Sequence, residues 1–378
     1  MSLTSAMLLV AGVVVYGFTM WDVLKTTLSM HGGAPLTDRL MRAIDGLIAR
    51  AGDKGPRERP PAIARYSNLL LTVTLFVMWF SGLLLAATLM LASDESSVTQ
   101  VAESNDGAAW LNRLYFVGAS LTTAGFGDFV PNGVYWQALT VVMATSGLVV
   151  TSLGISYVVS IVSAVAAQRA LARRITHLGR CPRDILALYH RGGEFAGLGA
   201  GLASLAGELV THTQRHLAYP AIHYVRADDD RDCLPAAVAL LDETLTILLY
   251  DVPAAALPPV AELAAVRRAV TGYLESLRAG FVDDLPSAPP YPPVDFLYED
   301  FGLLPEGRAR RLDREDADRF ERRRRLLRAG TDSQGIHWAR LGDYLETPRE
   351  DRLDGDAIAR LTEAPGAPAP RLTPHMPA

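Results

Sequence analysis

Three long apolar segments dominate the first 168 residues of the chain. Residues 1–21 and 66–93 carry no charged side chain, and none occurs between Asp128 and Arg169. Because about 20 apolar residues in a helix cross the ~30 Å hydrocarbon core of a bilayer, each segment predicts a membrane-spanning helix. The third segment is longer than one crossing needs, so we expect it to tilt or to continue beyond the membrane.

A shorter element lies between the second and third spans. Residues 109–122 are too few and too mixed to cross a bilayer, so they predict a re-entrant helix. The stretch from Leu121 to Asp128 follows, with glycines at 125 and 127. Glycine adopts left-handed backbone angles readily, which allows successive carbonyl groups to face one axis. Such a line of oxygens can replace the hydration shell of a cation.

Positions 123–128 read T-A-G-F-G-D, between a short amphipathic segment and a long apolar helix. This motif resembles the selectivity filter of the tetrameric potassium channels with a two-helix pore, of the bacterial type, over about residues 110–168. The resemblance implies a potassium-selective pore formed by a homotetramer, with potassium as the permeant ion and the only metal, and with no cofactor. It also implies a role for each of eight residues: ion-binding groups from Thr123, Ala124, Gly125, Phe126 and Gly127, flanking positions at Thr122 and Asp128, and a gating hinge at Gly147.

The motif departs from that family at three positions. Ala124 stands where Val or Ile is usual, Phe126 where Tyr is commonest, and Ala119 where some members carry Glu. A weakly selective cation channel is therefore an alternative function. A membrane-anchored sensor or scaffold with a structural pore region is an alternative of another class. Catalysis has no support, because no set of nucleophile, base and orienting residue can be named.

The charges predict the orientation in the membrane. Lys and Arg are frequent in residues 25–66, whereas residues 93–108 contain the acids Asp94, Glu95, Glu103 and Asp106 and no basic residue. By the positive-inside rule we expect a multi-pass protein of the cell membrane with its N-terminus outside and its C-terminal domain in the cytoplasm. The bilayer is then a partner. The net charge of −5 gives no reason to expect nucleic acid binding.

The first cytoplasmic loop contains an amphipathic pattern. Leu40, Met41, Ile44, Leu47 and Ile48 recur at helical spacing over residues 37–50. Two interpretations stay open: a helix lying on the inner leaflet, or a helix packed on another part of the protein. The Gly- and Pro-containing stretch 52–61 then predicts a linker. Asp22, near the end of the first span, is expected to be an interfacial or helix-capping acid.

The fold class predicted is an all-α membrane protein with three transmembrane helices, a re-entrant pore helix and filter, and an α-helical cytoplasmic domain. The expected divisions are an N-terminal span (1–24), a loop (25–66), a pore domain (67–168), a helical domain (169–330) and a partly disordered tail (331–378). Within the helical domain we expect helices at 183–217, 234–250, 259–280 and 307–329, and a Pro-rich connector over 286–293. Its ligand is not indicated by the sequence.

Three weaker features have modest interpretations. His212 and His216 are four residues apart on a predicted helix, and a solvated polar face explains them more simply than a metal site. The basic run Arg322–Arg325 indicates an exposed, charge-paired helix in preference to a contact with anionic lipid. The only two cysteines, Cys181 and Cys233, favour a reducing compartment over a disulfide framework.

Overall fold

The computed structural model describes residues 2–29, 33–52, 67–101, 109–195, 197–227, 229–282, 285–304, 312–336 and 338. Most of the expected linker at 52–61, the acids Glu103 and Asp106, and the tail beyond residue 338 lie outside these ranges. The described elements in chain order are helices α1 Leu3–Leu28, α2 Pro35–Gly52 and α3 Ser67–Ala92, strand β1 Val98–Gln100, helix α4 Trp110–Leu121, strand β2 Phe129–Pro131, and helices α5 Val134–Thr176, α6 Pro182–Tyr189, α7 Leu198–Ala218, α8 Leu234–Asp251, α9 Val260–Gly280, α10 Phe296–Glu299 and α11 Arg314–Ser333. Three short 3₁₀ helices accompany them: η1 Pro220–Tyr224, η2 Asp230–Asp232 and η3 Ala254–Ala256.

Among the described residues, three helices are long and apolar enough to cross a membrane: α1, α3 and α5. The predicted fold class, a helical membrane protein with a helical C-terminal region, is confirmed. The 43 residues of α5 exceed one crossing, as expected from its uncharged length. Its last turns enter the C-terminal domain, where Leu171, Ala172 and Ile175 belong to the hydrophobic core.

Helix α1 packs along α3 as part of the bundle. A β-carbon on Gly12 would lie 2.7 Å from the carbonyl oxygen of Ala86, and one on Gly82 would lie 2.7 Å from the Thr19 hydroxyl oxygen. Small residues allow membrane helices to approach this closely, and close packing replaces the hydrophobic effect that lipid cannot supply between them. The N-terminal span therefore packs into the bundle of membrane helices and is more than a separate anchor.

Asp22 joins α1 to two other helices. Its carboxylate is fully buried and accepts hydrogen bonds from the Leu36 amide (3.2 Å), the Thr37 hydroxyl (2.6 Å) and the Trp79 indole N–H (2.9 Å). The first of these donors belongs to the N-terminal turn of α2, where a carboxylate satisfies free amides and matches the helix dipole. Asp22 is thus a capping acid, and the helix that it caps is the next one along the chain.

The apolar stripe of α2 faces the protein over its first half. Met41 and Ile44 are buried in one cluster with residues of the membrane helices, whereas Leu47 is 62% exposed. This arrangement favours a helix packed on another part of the protein over one lying freely on the leaflet. The side chains of Asp45, Ile48 and Arg50 lie outside the described part of the structure.

The C-terminal domain is helical and is arranged around α8, which packs against α5, α6, α9 and α11. The prediction of a single helix at 183–217 is wrong, because the structure has two separate helices there, α6 and α7. Gly192 and Gly193 adopt φ angles of 59° and 86° between them, a left-handed conformation that ends a helix. Helix α11 runs to Ser333, and Ile336 is buried, so packed structure continues past the boundary expected at 330.

Two expectations for this domain are corrected by burial. Arg323 and Arg324 point inward from α11, where Arg323 pairs with Asp242 and Arg324 pairs with Glu243 of α8. Arg325 does pair along its own helix, with Glu321 at 2.7 Å. His212 and His216 are buried at 5% and 3% exposure, so they do not form a solvated face. Cys181 and Cys233 are buried free thiols.

The sequence did not indicate the small ribbon that flanks residues 101–128. Strands β1 and β2 pair antiparallel, with Val98 opposite Pro131 and Gln100 opposite Phe129. Three-residue strands are too short for an alternating pattern to be recognised. The ribbon ties the segment after α3 to the segment that leads into α5.

Candidate functional site

The candidate site is the loop of residues 122–128, which starts where α4 ends. Thr122 closes α4, since its amide donates to the Gly118 carbonyl at 3.0 Å and its hydroxyl donates to the same oxygen at 2.8 Å. These bonds satisfy carbonyls that the last helical turn otherwise leaves free. Thr122, which the sequence analysis expects to flank the filter, therefore lies at the C-terminal end of α4, and its hydroxyl is directed at the last turn of that helix.

The next three amides all point back at α4. The N–H of Thr123 donates to the Ser120 carbonyl at 3.1 Å, and those of Ala124 and Gly125 donate to the Ala119 carbonyl at 2.8 and 3.4 Å. No described peptide bond is cis, and in a trans peptide the C=O points opposite to the N–H. The carbonyls of Thr122, Thr123 and Ala124 are therefore directed away from α4, to one side of the loop.

Every second residue of the loop has a left-handed backbone. The φ angles are 58° at Thr123, 56° at Gly125 and 82° at Gly127. Alternation of this kind allows successive carbonyls of an extended backbone to face the same side, whereas in an ordinary strand they alternate between opposite sides. Thr123 is the only non-glycine residue with positive φ among the residues described, and for a β-branched side chain this is a strained conformation costing about 1–3 kcal/mol.

The loop is exposed to solvent in the single chain. Residues 122–128 are all exposed in the single chain, and Phe126 is 67% exposed. A β-carbon on Gly125 or Gly127 would meet nothing within 4 Å. Within one chain, glycine is thus required at these positions by the backbone angles and not by crowding.

Tyr115 supports the loop from within α4, and the sequence analysis did not single it out. Its ring stacks on Phe126 with centroids 5.8 Å apart and contacts Phe129 edge-on at 6.0 Å. Its hydroxyl and the Asp128 carboxylate are near enough to interact electrostatically. Phe126 has no hydroxyl of its own, and it contacts α4 through the ring of Tyr115. An aromatic residue on the short helix was the available signal.

The far end of the loop is held by the ribbon and by Arg113. The Asp128 carbonyl accepts from the Val101 amide at 3.0 Å. Arg113 of α4 is 8% exposed and donates to the backbone carbonyls of Asp94 and Glu95 at 3.3 and 2.8 Å. The Asp94 carboxylate accepts from the Trp136 indole at 3.0 Å, and hydrogen bonds from Ser96 hold its pKa below the usual value. The segment after α3 is thus a structural part of the site.

Gly147 of α5 lies directly behind the loop. A β-carbon there would fall 2.0 Å from the carbonyl oxygen of Leu121, the last residue of α4. Helix α5 continues without interruption through Gly147, and the neighbouring Ser146 bonds the Tyr16 hydroxyl of α1 at 2.5 Å. Gly147 therefore permits close contact between two elements of the site, a role different from the expected hinge, which stays a prediction.

The small polar residues of α5 divide by environment. Ser146 is buried against α1, whereas Thr145, Ser152 and Ser156 are exposed and recur at helical spacing. The hydroxyls of Thr145 and Ser156 donate to carbonyls four residues earlier, which satisfies these groups without water. Helix α5 thus presents a polar stripe on an exposed face that starts near the loop.

Comparison with known proteins agrees with this geometry. Residues 72–164 match the model of a family described as ion channel. The chain is also similar to an uncharacterized membrane protein, YdjJ, of Bacillus subtilis (strain 168), with 29% identity over 292 residues, 77% of this chain and 84% of the relative. No solved structure matches the chain. The protein is therefore a helical membrane protein, and the part of it that is similar to an ion-channel family comprises most of α3, α4, the loop and most of α5.

Proposed function

We propose that the protein is a potassium-selective channel that conducts passively through a tetrameric pore. The observation that carries this proposal is the direction of the loop backbone: three consecutive amides bond to α4, and three consecutive carbonyls face away from it. A line of carbonyls with alternating φ is the arrangement that can coordinate a dehydrated cation. Thr123, Ala124, Gly125, Phe126 and Gly127 would form the selectivity filter, and α4 would act as the pore helix.

The exposure of the loop supports assembly from identical chains. One loop offers oxygens from one side only, so several copies are needed to surround an ion, and four copies match the resemblance. Irregular backbone at membrane depth is tolerated only when it is buried in protein or lines water. Apolar side chains of α4 and α5 are also exposed in the single chain and would be covered by other copies or by lipid: Trp110, Leu111, Val134, Tyr135, Val141 and Leu148.

The inner end of the pore would be lined by α5. With the N-terminus outside, α5 runs inward from the filter, and the C-terminal domain lies in the cytoplasm. The stripe of Thr145, Ser152 and Ser156 would then face a water-filled cavity below the filter. Gly147, behind Leu121, would hold the pore helix at the position at which the filter begins.

Selectivity for potassium is favoured over the weakly selective alternative by Tyr115. A ring of carbonyls discriminates between ions only when its geometry or the number of its ligands is maintained. Tyr115 stacks on Phe126 and acts electrostatically on Asp128, so it supports the loop although Ala124 and Phe126 replace the residues usual in the family.

The test is ion flux in liposomes that contain the purified protein, followed by reversal potentials under bi-ionic potassium and sodium. We expect potassium to be preferred, and Gly125→Ala to abolish selective conduction, because a β-carbon opposes a φ of 56°. The matched control is Gly118→Ala in α4, where the added carbon would lie 3.8 Å from the nearest side-chain atom. Equal permeability of both ions would establish the weakly selective channel, and absence of flux would support the scaffold.

A further inference from the structure

The 3₁₀ helix η1 joins the C-terminal domain to the membrane helices. Ala221, Ile222 and the following Val225 are buried in the same cluster as residues of α3 and α5. Tyr219, just before η1, contacts Tyr157 of α5 edge-on at 5.9 Å, and Tyr157 in turn faces Trp79 of α3 at 6.4 Å. Because α5 also runs into the C-terminal domain, η1 forms a second attachment between that domain and the membrane helices.

The opposite side of η1 contacts a cluster of histidines. The His223 ring stacks on Phe281, which follows α9, with centroids 4.1 Å apart at 19°. Phe281 also faces His216 of α7 at 4.7 Å, and His216 lies 5.9 Å from His212. The three imidazoles are 3–9% exposed. The C-terminal domain therefore contacts η1 through Phe281 and through His216 of α7, and the imidazoles of His216 and His223 can take up a proton.

The surroundings of this cluster keep the imidazoles neutral. The Nδ1 atoms of His212 and His216 are buried without a hydrogen-bond partner among the described residues. The charged groups that act on the cluster are cations, Arg215 on His212 and Arg226 on His223, so they oppose a further positive charge. The other titratable neighbours are Tyr273 of α9, 6.3 Å from His216, and Tyr224 of η1, 5.4 Å from His223.

A metal ion does not fit this cluster. Among the described residues, no group of three or more His, Cys, Asp and Glu side chains is placed to hold one. The Phe281 ring stacks on His223 and contacts His216 in a tilted orientation, so apolar carbon lies against both imidazoles at the centre of the cluster. A proton is the ligand that two unpartnered ring nitrogens can accept without rearranging the side chains around them.

We propose that His212, His216 and His223 form a proton-binding site that controls the second attachment. Acid on the side of the C-terminal domain charges the imidazoles, separates η1 from α7 and α9, and releases the inner part of α5. The effect on conduction rests on the proposed channel function. Inner helices must move for such a pore to open, and a helix held at one attachment moves more freely than one held at two. Acidification should therefore raise the open probability.

The size of the effect follows from proton linkage. Burial lowers the pKa to about 3 for His212 and His223 and to about 4 for His216. Once separated, the histidines would titrate near 6.5, as exposed imidazoles do. The state in which η1 is packed on α7 and α9 is then favoured above about pH 6.5, and its population decreases as pH falls below that value. Each histidine shifts the equilibrium toward separation by up to about tenfold per pH unit, and three act multiplicatively.

The first test measures the attachment itself, without reference to ion flow. Hydrogen–deuterium exchange of the full-length protein in liposomes at pH 7.5 and 5.5, corrected for intrinsic exchange rates, reports the protection of residues 219–225. We expect protection to fall at least tenfold at pH 5.5 in the unmodified protein. His216→Phe and His223→Phe keep an aromatic ring against Phe281 but remove the proton acceptor, so each should reduce the fall. Unchanged protection in the unmodified protein would overturn the proton site.

A matched control is available in the same domain. His190 is a partly buried imidazole whose ring contacts those of Phe195 (5.2 Å) and Phe301 (4.6 Å) in tilted orientations. Burial lowers its pKa as well. His190→Phe should leave the pH response of residues 219–225 unchanged. If it removes the response as fully as His223→Phe does, or if both cluster variants retain the full response, the assignment to this cluster is wrong.

The second test separates the sensor from the channel. Potassium flux into the same liposomes should rise at pH 5.5, and the rise should be smaller in His216→Phe and His223→Phe. Loss of protection without flux at any pH would retain the proton site and reject the channel. Flux that is present at pH 7.5 and does not change at pH 5.5, although protection falls, would refute the coupling between η1 and the pore.

Discussion

Substitution of Gly147 by alanine tests the structure most directly, because the consequence can be worked out from one contact. The new β-carbon would lie 2.0 Å from the Leu121 carbonyl oxygen and 2.7 Å from its carbonyl carbon. Carbon–oxygen contacts are ordinarily about 3.3 Å or longer, so α4 and α5 must move apart by more than about 1 Å. Both sides of the contact are backbone, so no side-chain rotation can relieve it.

The displacement should reach the filter without unfolding the protein. Overpacking costs about 1–3 kcal/mol, and replacing glycine by alanine inside a helix returns up to about 1 kcal/mol. The net cost is therefore small for a domain of this size. Leu121 directly precedes Thr122, and the amides of residues 123–125 bond to the end of α4. We therefore expect Gly147→Ala to weaken the preference for potassium while assembly is retained.

Reversal potentials under bi-ionic conditions measure the preference, and native mass measurements report the assembly. The matched control is Gly154→Ala, two turns further along α5, where the β-carbon would lie 3.1 and 3.3 Å from ring atoms of Phe76. That side chain can yield, so selectivity should be unchanged. If Gly147→Ala alters open probability and leaves ion preference intact, Gly147 is a hinge and the reasoning from its contact with Leu121 fails.

Three further predictions concern single contacts. Tyr115→Phe keeps the stack on Phe126 and removes the hydroxyl that acts on Asp128, so selectivity should decrease while expression and assembly are unaffected; an unchanged reversal potential would show that the hydroxyl does not support the candidate filter. Trp79→Phe removes the indole donor to the buried Asp22 carboxylate, and we expect a loss of about 1–3 kcal/mol, measured as a lower thermal midpoint in detergent; no change would mean that the bond between Trp79 and Asp22 does not stabilise the packing of α1 on α3. Asp242→Ala leaves Arg267 and Arg323 without their shared partner in a buried site, so the C-terminal domain should lose about 3–5 kcal/mol, whereas Asp300→Ala, which breaks an exposed pair with Arg183, should cost less than about 1 kcal/mol; similar losses in chemical denaturation would contradict this difference.

The candidate site could be located from the sequence because its requirement is local. Glycine at 125 and 127 is needed for left-handed φ angles, so the requirement is visible in the residue type at each position. The residues that support the loop cannot be recognised from their type in this way. These residues are Tyr115, Arg113 and the partners in the ribbon, and each contacts a residue 11 or more positions away in the chain. The presence of an aromatic or basic residue does not show which distant residue it contacts.

The polar residues of the C-terminal domain show the same limit. Arg323 and Arg324 were assigned to an exposed helix because charged residues usually face water. The structure buries them because α8 places Asp242 and Glu243 opposite, and those partners lie 81 positions earlier in the chain. The sequence similarly predicts a solvated polar face for the histidines of α7. In the structure these side chains are buried, because η1 and Phe281 pack at the cluster that they form.

The sequence by itself determined the number of membrane spans, the short helix between the last two and the position of the candidate filter, because hydropathy and glycine spacing are properties of contiguous residues. Only the tertiary structure decided that Asp22 caps α2, that Gly147 contacts the end of α4, and that η1 joins the two domains through a histidine cluster. These are contacts between segments distant in sequence, and their energy depends on which partners are brought together. A pattern along one segment carries no information about them.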